Sequence, residues 1–214
     1  MSRALRIALA TEPFEQADGD VAVVSFFSAD RPLRGAAGRA DWRLCGMLSA
    51  LIAEGRLSGA EGEALLMPTF GRLRAPRLLV LGLGGSTRFG AAEVAGAARD
   101  AVSRLLDLRA RSAVVSIPGE WIGAVPARPA AEAVARGALE ALAPRGEGFA
   151  LRLLVAPEVA SRALRGLEAA ASRARVAGIG LDLPDLDPEP GVPVRRARSA
   201  PSGSGPISQA PSRP

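Results

Sequence analysis

Short apolar runs alternate with amphipathic stretches along the first 180 residues. Residues 78–81 form a continuous apolar run that ends in Gly82, Gly84 and Gly85. A run too short for a helix and closed by glycines is typical of a strand buried on both faces. The apolar positions of residues 94–106 then recur at helical spacing, with Arg and Asp on the opposite side, which predicts an amphipathic helix. Strand, glycine turn and helix together form half of a βαβ unit, the building block of a parallel sheet.

The same two periodicities predict the other elements. Leu5, Ile7 and Leu9 alternate with Arg6 and Ala8, so the first strand is expected to have one solvated face. The apolar runs predict further strands over residues 21–27, 64–67, 113–117 and 151–155, and helical spacing predicts helices over residues 41–55, 129–142 and from 157 onward.

The first predicted helix has signals at both ends. Asp41 is placed to favour its N-terminus and Gly55 to end it, while Gly-, Arg- and Pro-rich residues 28–40 are predicted as loop. A short turn separates the strand at 64–67 from the strand at 78–81, which predicts an antiparallel hairpin in an otherwise parallel sheet. The fold class is therefore α/β with a mixed, mostly parallel sheet.

Composition bounds the number of domains and excludes several kinds of chemistry. At 214 residues and 48% apolar content, one α/β domain over residues 1–180 is expected. Residues 184–214 are dense in Pro, Ser, Gly and Arg without periodicity, which predicts a disordered tail. No apolar stretch has the roughly 20 residues that a membrane span needs, and no signal pattern precedes the first strand, so we expect a cytoplasmic protein without membrane contact.

The chain contains no His, no Tyr and no Lys. These absences remove the usual general base, the commonest metal ligand and the amine nucleophile, so neither catalytic residues nor a metal site nor a cofactor is predicted. Cys45 is the single cysteine, and its position beside apolar residues predicts a small buried side chain without a nucleophilic role.

The glycine turn is the best candidate for a ligand site, because glycines let backbone N–H groups approach a phosphate just before a helix begins. Gly119 follows the next strand, and ligands collect at the carboxyl ends of strands in such sheets. The alternative is that the glycines only make a tight turn. The candidate ligand-binding residues are Gly82, Gly84, Gly85, Ser86, Thr87 and Gly119.

Tryptophans and arginines suggest further contacts. Trp42 and Trp121 are the only tryptophans, and each is expected to pack or to meet a partner more readily than to stack on a base. The net charge is +5. Arginine clusters at residues 72–77 and 195–198 are able to meet a phosphate backbone, although in a lysine-free chain arginine also supplies all basic solubilising charge.

The order of several weak motifs resembles the N-terminal domain of the leucine aminopeptidase family of zinc exopeptidases. These motifs are a strand, a helix with the central glycine Gly46, a near match to Gly-x-Gly-Glu that ends at Glu63, and the strand ending in Gly82-Leu83-Gly84. The resemblance covers about residues 5–175. It implies a macro-domain-like three-layer α/β/α sandwich. In relatives, this domain decorates a hexamer and shapes access and assembly.

The family's catalytic domain has no counterpart in the sequence. The Asn-Thr-Asp-Ala-Glu-Gly-Arg motif and the metal-binding lysine are missing, so the resemblance implies a non-catalytic domain. The leading hypothesis is a stand-alone module that contacts itself or a full-length aminopeptidase. The alternatives are a macro-domain-like binder of a nucleotide or an ADP-ribose-type phosphate, and a DNA-associated protein. A neighbouring gene carrying the missing metal-binding half would instead indicate a split enzyme.

Overall fold

A computed structural model describes residues 4–143, 148–176 and 180–182. Seven strands form one sheet in the order β3-β4-β2-β5-β6-β1-β7. The strands are β1 (Ala4–Ala10), β2 (Val21–Phe26), β3 (Ala64–Pro68), β4 (Arg77–Gly82), β5 (Ser112–Ser116), β6 (Phe149–Leu154) and β7 (Gly180–Asp182), and the helices are α1 (Gly35–Arg43), α2 (Met47–Ala53), α3 (Ala91–Asp107), α4 (Ala127–Leu142) and α5 (Ala160–Val176).

The sheet is mixed and mostly parallel, as the sequence predicts. Strand β3 pairs with β4 in the antiparallel direction, with Leu66 opposite Leu79, while the other paired strands are parallel. The predicted hairpin of β3 and β4 is therefore confirmed. Strand β2 is buried along its whole length, because it has a strand on each side and helices on both faces.

Two hydrophobic cores lie on opposite faces of the sheet, which confirms the three-layer arrangement. Helices α3, α4 and α5 cover one face and bury residues such as Ile7, Val23 and Leu151. Helices α1 and α2 cover the other face above Val24 and Leu78. Strands β2, β4 and β5 contribute alternate side chains to the two cores, as the two-residue period of a strand requires.

Two glycines allow the three helices on the first face to pack closely. A Cβ atom on Gly137 of α4 would lie 2.1 Å from the carbonyl oxygen of Ala95 in α3. A Cβ atom on Gly166 of α5 would lie 2.1 Å from the carbonyl oxygen of Arg128 in α4. Because real side chains do not approach a carbonyl oxygen so closely, these two helix crossings require glycine.

The predicted helix over residues 41–55 is wrong as a single element. A left-handed corner at Cys45 (φ 57°) and Gly46 (φ 79°) divides this stretch into α1 and α2. Helix α1 begins at Gly35, inside the residues predicted as loop. The apolar spacing crosses the corner without a break, because both helices bury their apolar sides against the same face of the sheet.

Asp41 caps a helix, but not the one whose start it was predicted to favour. It lies inside α1, and its Oδ1 accepts hydrogen bonds from the backbone N–H groups of Leu48 (2.8 Å) and Ser49 (3.1 Å) at the start of α2. The Ser49 hydroxyl donates to Oδ2. Gly46 occupies the N-cap position of α2 and has no side chain to cap with. The buried Asp41 carboxylate therefore replaces the missing cap.

The prediction that Gly55 ends this helical stretch is confirmed. Gly55 adopts φ 68° directly after α2. Its N–H donates to the carbonyl of Ile52, and the next N–H, of Arg56, donates to the carbonyl of Leu51. A left-handed glycine with these bonds satisfies the last carbonyl groups of the helix.

The burial predicted for Cys45 is wrong, because the side chain is exposed at the corner between α1 and α2. The left-handed turn directs it outward.

Strand β7, which pairs with β1, is an element that the sequence did not predict. The predicted tail over residues 184–214 lies outside the described residues. Among the helices in the described part of the chain, none combines the length and the apolar content needed to cross a membrane.

Asp20 ties the beginnings of β2 and β5 together. Its Oδ2 accepts hydrogen bonds from the backbone N–H groups of Arg111 (2.8 Å) and Ser112 (3.1 Å). The bond from Arg111 is the main cause that lowers the pKa of the Asp20 carboxyl below its ordinary value, although burial opposes it. The native state therefore favours the charged carboxylate.

Asp20→Asn should lower the free energy of unfolding by about 1 kcal/mol at pH 7, because it weakens hydrogen bonds to a charged acceptor. A lowered native pKa means that this contribution is complete above the unfolded pKa of about 4 and is lost as the pH falls through the native value. Urea titrations at pH 7 and pH 3 measure it. The difference between wild type and variant should shrink at pH 3, and a constant difference would contradict the assignment. Asp18→Asn, at an exposed position, is the control.

Candidate ligand site and interaction surface

The predicted ligand turn follows β4 at the carboxyl edge of the sheet, and much of its backbone is already bonded within the protein. The N–H groups of Gly82, Leu83 and Gly84 donate to the carbonyl oxygens of Glu63, Phe26 and Gly59 at 2.8, 2.9 and 2.8 Å. Those three N–H groups therefore hold the turn in place and do not point at a ligand.

Close packing explains two of the predicted glycines. A Cβ atom on Gly82 would lie 2.1 Å from the carbonyl oxygen of Ala60. Gly84 has φ 70°, and its Cβ would lie 3.1 Å from the Cβ of Glu61. Gly85 has nothing within 4 Å of such an atom. Gly82 and Gly84 thus meet the steric needs of the turn. This favours the alternative that these two glycines only make a tight turn.

Glu63 orders the loop that packs on this turn. Its carboxylate accepts hydrogen bonds from the N–H of Gly59 (2.6 Å) and from the N–H and hydroxyl of Ser58. Burial raises the pKa of the Glu63 carboxyl, but these hydrogen bonds outweigh burial and leave the pKa below its ordinary value. The near match to Gly-x-Gly-Glu thus forms a closed loop in which the glutamate binds the backbone of its own segment.

A cleft of about 630 Å³ lies between the turn and α3. Gly82, Gly85 and Thr87 border this cleft, and Ser86 is exposed next to Gly85 and Thr87. Both signs of charge occur in the lining, since it contains Glu61, Glu93, Asp100, Arg88 and Arg99. Three carboxylates beside two arginines make the cleft a weaker attractor for phosphate than a wholly basic lining would be.

Gly119 lies at the same edge of the sheet but is separated from the turn by aromatic rings. Phe27 contacts Phe89 edge to face, with ring centroids 4.8 Å apart, and its ring lies 5.5 Å from that of Trp121. Gly119 has φ 69°, and a Cβ there would lie 2.7 Å from the Phe89 ring. The aromatic cluster therefore fills the space between Gly119 and the glycine turn.

Trp121 belongs to this cluster as a packing residue. Its Nε1 lies 3.4 Å from Oδ1 of Asp30, to which it donates a hydrogen bond. Its ring also covers Gly35 at the start of α1, where a Cβ would lie 2.8 Å from the ring. Trp121 thus joins the residues after β5 to the first helix, which is one of the two roles expected for it.

A second cleft, of about 500 Å³, opens at the carboxyl ends of β5 and β6, and sequence reasoning did not find it. Glu120 and Arg162 supply its charged groups, and Ile117 and Val155 lie in its wall. Burial raises the pKa of the Glu120 carboxyl, while the positive charge of Arg39 lowers it by less. The loops that follow β5 and β6 meet only in the folded sheet, so no local sequence motif predicts this cleft.

An apolar surface with basic neighbours lies at the corner between α1 and α2. Trp42 is 73% exposed and Phe70 is 65% exposed. The Arg43 guanidinium lies 5.1 Å from the centroid of the Trp42 ring. Nη1 of Arg72 donates to the carbonyl of Arg43 (3.3 Å) and contacts Sγ of Cys45, so it joins the β3–β4 turn to the helices. We refer to residues 42–45 and 70–72 as the exposed corner.

The arginines at residues 72–77 contact the protein's own groups. Besides the contacts of Arg72, Arg74 lies 3.6 Å from Oδ1 of Asp18, and Nε of Arg77 donates to the carbonyl of Asp20. Nucleic-acid binding through this cluster stays a prediction, and the arginines at residues 195–198 lie outside the described residues. Across the described ranges, no three His, Cys, Asp or Glu side chains are grouped so that they could hold a metal ion.

A family model described as the N-terminal domain of the cytosol aminopeptidase family matches residues 23–142, more than half of the chain. The chain belongs to this family. The family resemblance that the sequence motifs indicate is thereby confirmed. The match begins in β2 and ends with α4, so it includes the glycine turn, the aromatic cluster and the exposed corner.

Curated relatives extend far beyond the region that they share with this aminopeptidase-family domain. A probable cytosol aminopeptidase of Xylella fastidiosa (strain M12) is 35% identical over 98 residues, which are 46% of this chain and 20% of the relative. One from Xanthomonas oryzae pv. oryzae (strain MAFF 311018) is 37% identical over 102 residues, 48% of this chain and 21% of the relative. The matched region thus spans about a fifth of each relative.

Solved structures share the fold at low sequence identity. A mutant of tomato leucine aminopeptidase has a TM-score of 0.55 at 18% identity, covering 78% of this chain and 36% of that one. A mutant of the Oceanobacillus iheyensis macrodomain has a TM-score of 0.61 at 14% identity, covering 78% of this chain and 92% of the macrodomain. The macro-domain-like fold is therefore confirmed, and such low identities concern the fold alone.

Proposed function

We propose that this aminopeptidase-family domain acts through protein contact. It binds a second copy of itself or a full-length aminopeptidase and modulates the assembly of that enzyme or access to it. The chain matches only the N-terminal domain of its relatives, which supports a role related to proteolysis without chemistry of its own. This is the assembly role that the family resemblance implies.

The exposed corner is the observation that carries the proposal. Trp42 leaves 73% of its surface uncovered although it lies beside the buried positions of α1. Trp42 lines a groove of about 690 Å³ together with Pro32, Leu33 and Cys45. Exposed aromatic residues beside arginine are the side chains that contribute most to protein interfaces. An exposed tryptophan next to a groove therefore favours an interface role over packing.

Removal of the Trp42 ring tests this role. Tagged protein should retain a leucine-hydrolysing aminopeptidase when it is purified from its native cell, identified by mass spectrometry and by hydrolysis of leucine p-nitroanilide. Trp42→Ala should weaken the association about tenfold, because a buried aromatic anchor typically contributes at least that much. The ring packs little within the domain, so we expect unchanged thermal stability.

Ile122→Ala is the matched control, since Ile122 is also an exposed apolar residue but lies after β5, in the segment of the aromatic cluster. It should leave the association unchanged. Recovery of a strictly monomeric protein without any peptidase would contradict the proposal. If wild type and Trp42→Ala retain the aminopeptidase equally, the exposed corner is not the contact surface.

A second candidate function is binding of a nucleotide or an ADP-ribose-type phosphate. The cleft beside Gly85 and Thr87 supports it, as does the macro-domain-like fold, since a Trypanosoma brucei macrodomain with a TM-score of 0.59 was solved in complex with ADP. Titration calorimetry with ADP-ribose separates the two functions. Heat that disappears in Thr87→Glu, a variant that adds a bulkier, negatively charged side chain to the cleft, would support binding, and no heat at millimolar ligand would exclude it.

A further inference from the structure

We propose that two copies of this chain associate through β3, which pairs with its own counterpart in the antiparallel direction and joins the two sheets. This inference rests on the proposed function and goes beyond it, because it names one partner, a second copy, and assigns its binding to β3, a surface other than the exposed corner. Within the described sheet, β3 is an outer strand that pairs with β4 alone. An outer strand presents backbone donors and acceptors that another strand can pair with.

The hydrogen bonds to β4 show which residues of β3 face outward. The N–H of Gly82 donates to the carbonyl of Glu63, and the N–H of Thr69 donates to the carbonyl of Pro76. Residues 63, 65, 67 and 69 therefore direct their backbone groups to β4, since these directions alternate along an antiparallel strand. Ala64, Leu66 and Pro68 direct theirs to the outer edge.

The side chains of β3 protect this edge only at its end, where Pro68 lies. The strand reads Ala-Leu-Leu-Met-Pro and contains no charged residue, whereas outer strands are commonly protected by inward charges or bulges. Leu66, at its centre, is 40% exposed. Pro68 removes one donor at the end of the strand, which limits self-pairing without preventing it.

The available groups select one register. In pairing centred on Leu66, each Leu66 exchanges two hydrogen bonds with its counterpart, and each Ala64 N–H donates to the other copy's Pro68 carbonyl. A register centred on Pro68 has no donor at its centre. A register centred on Ala64 needs the carbonyl of Gly62, which already accepts a hydrogen bond from Nη2 of Arg104 (2.9 Å).

The charges at the two ends of β3 complement one another in this register. Exposed Glu61 precedes the strand, and exposed Arg72 and Arg74 follow it. Antiparallel pairing brings the acidic start of one strand near the basic end of the other, twice in a two-fold dimer. A pairing of five residues buries little area, so we expect a weak dimer that depends on concentration.

Cysteine crosslinking tests the register. In a Cys45→Ser background, Leu66→Cys places the two sulfur-bearing residues directly opposite each other, about 5.5 Å apart between Cα atoms, within the range of a disulfide. Oxidation should give a covalent dimer on a non-reducing gel. Ala64→Cys is the matched control, because its Cα atoms would be roughly 14 Å apart in the same pairing. Equal crosslinking of both variants, or none with Leu66→Cys, overturns the proposal.

Sedimentation equilibrium gives an independent measurement. Leu66→Glu should weaken the dimer by about tenfold or more, since it places two like charges opposite each other. Ile122→Glu, a substitution at a similarly exposed position, 37% exposed against 40%, should have no effect. A wild-type protein that stays monomeric up to about 1 mM would overturn self-pairing. If Leu66→Glu loses the dimer but still retains the aminopeptidase, the proposed function is intact. Failure of self-pairing can therefore be distinguished from failure of aminopeptidase binding.

Discussion

Gly137→Ala should lower the free energy of unfolding by about 3 kcal/mol, a large effect for a single added methyl group. The new Cβ would lie 2.1 Å from the carbonyl oxygen of Ala95 and 3.0 Å from the N of Arg99. Both are backbone atoms of α3, so no side chain can rotate away and the two helices must separate. The higher helix propensity of alanine recovers only about 1 kcal/mol of this cost.

The same substitution at Gly96 should have the opposite effect. Gly96 also lies inside a helix, α3, but a Cβ there meets nothing within 4 Å. Gly96→Ala should therefore raise the free energy of unfolding by up to about 1 kcal/mol, through helix propensity and a less flexible unfolded chain. Guanidinium unfolding followed by circular dichroism measures both variants. Changes of the same sign in the two would contradict the close crossing of α3 and α4.

Asp41→Ala should lower the free energy of unfolding by about 2 kcal/mol, because it removes every hydrogen bond that one buried carboxylate accepts from the start of α2. The N–H groups of Leu48 and Ser49 would lose their acceptor. Leu48 is fully buried, so water cannot easily replace that acceptor. The glycine at the N-cap position offers no substitute.

Ser49→Ala is the control that separates the cap from the hydroxyl contact. It removes only the hydroxyl that donates to Oδ2 of Asp41 and should cost about 1 kcal/mol or less. Thermal unfolding followed by circular dichroism compares the stability of wild type, Asp41→Ala and Ser49→Ala. Equal destabilisation by Asp41→Ala and Ser49→Ala would show that the backbone cap contributes nothing. Destabilisation of this corner should also reduce the aminopeptidase binding that we propose, because Trp42 lies next to Asp41.

Regular elements were predictable where one periodicity ran unbroken between clear end signals. The run at 78–81 and the spacing at 94–106 correspond to β4 and α3, because burial on two faces and burial on one face leave different patterns. The corner at Cys45 and Gly46 was not predictable in this way. Its two helices bury apolar residues on one face of the sheet, so the spacing continues across the break.

At the candidate site, the sequence likewise predicted the glycine turn but not the distant contacts that surround it. A strand-ending glycine motif indicated a turn before α3, and such a turn is present. The requirement at Gly82 comes from Ala60, which is 22 positions earlier in the sequence. The aromatic rings that separate Gly119 from the turn come from Phe27, Phe89 and Trp121. Contacts between residues so distant in the chain leave no local signal.

The sequence by itself determined the α/β class, the mixed sheet with its β3–β4 hairpin, and membership in the aminopeptidase family, because these follow from local periodicity and from the order of motifs. Only the tertiary structure decided that Trp42 and Cys45 are exposed, that Asp41 caps α2, and that Leu66 is exposed on an outer strand of the described sheet. The physical reason is that exposure and hydrogen bonding depend on which segments meet in space. A side chain's residue type does not specify the neighbours that cover it.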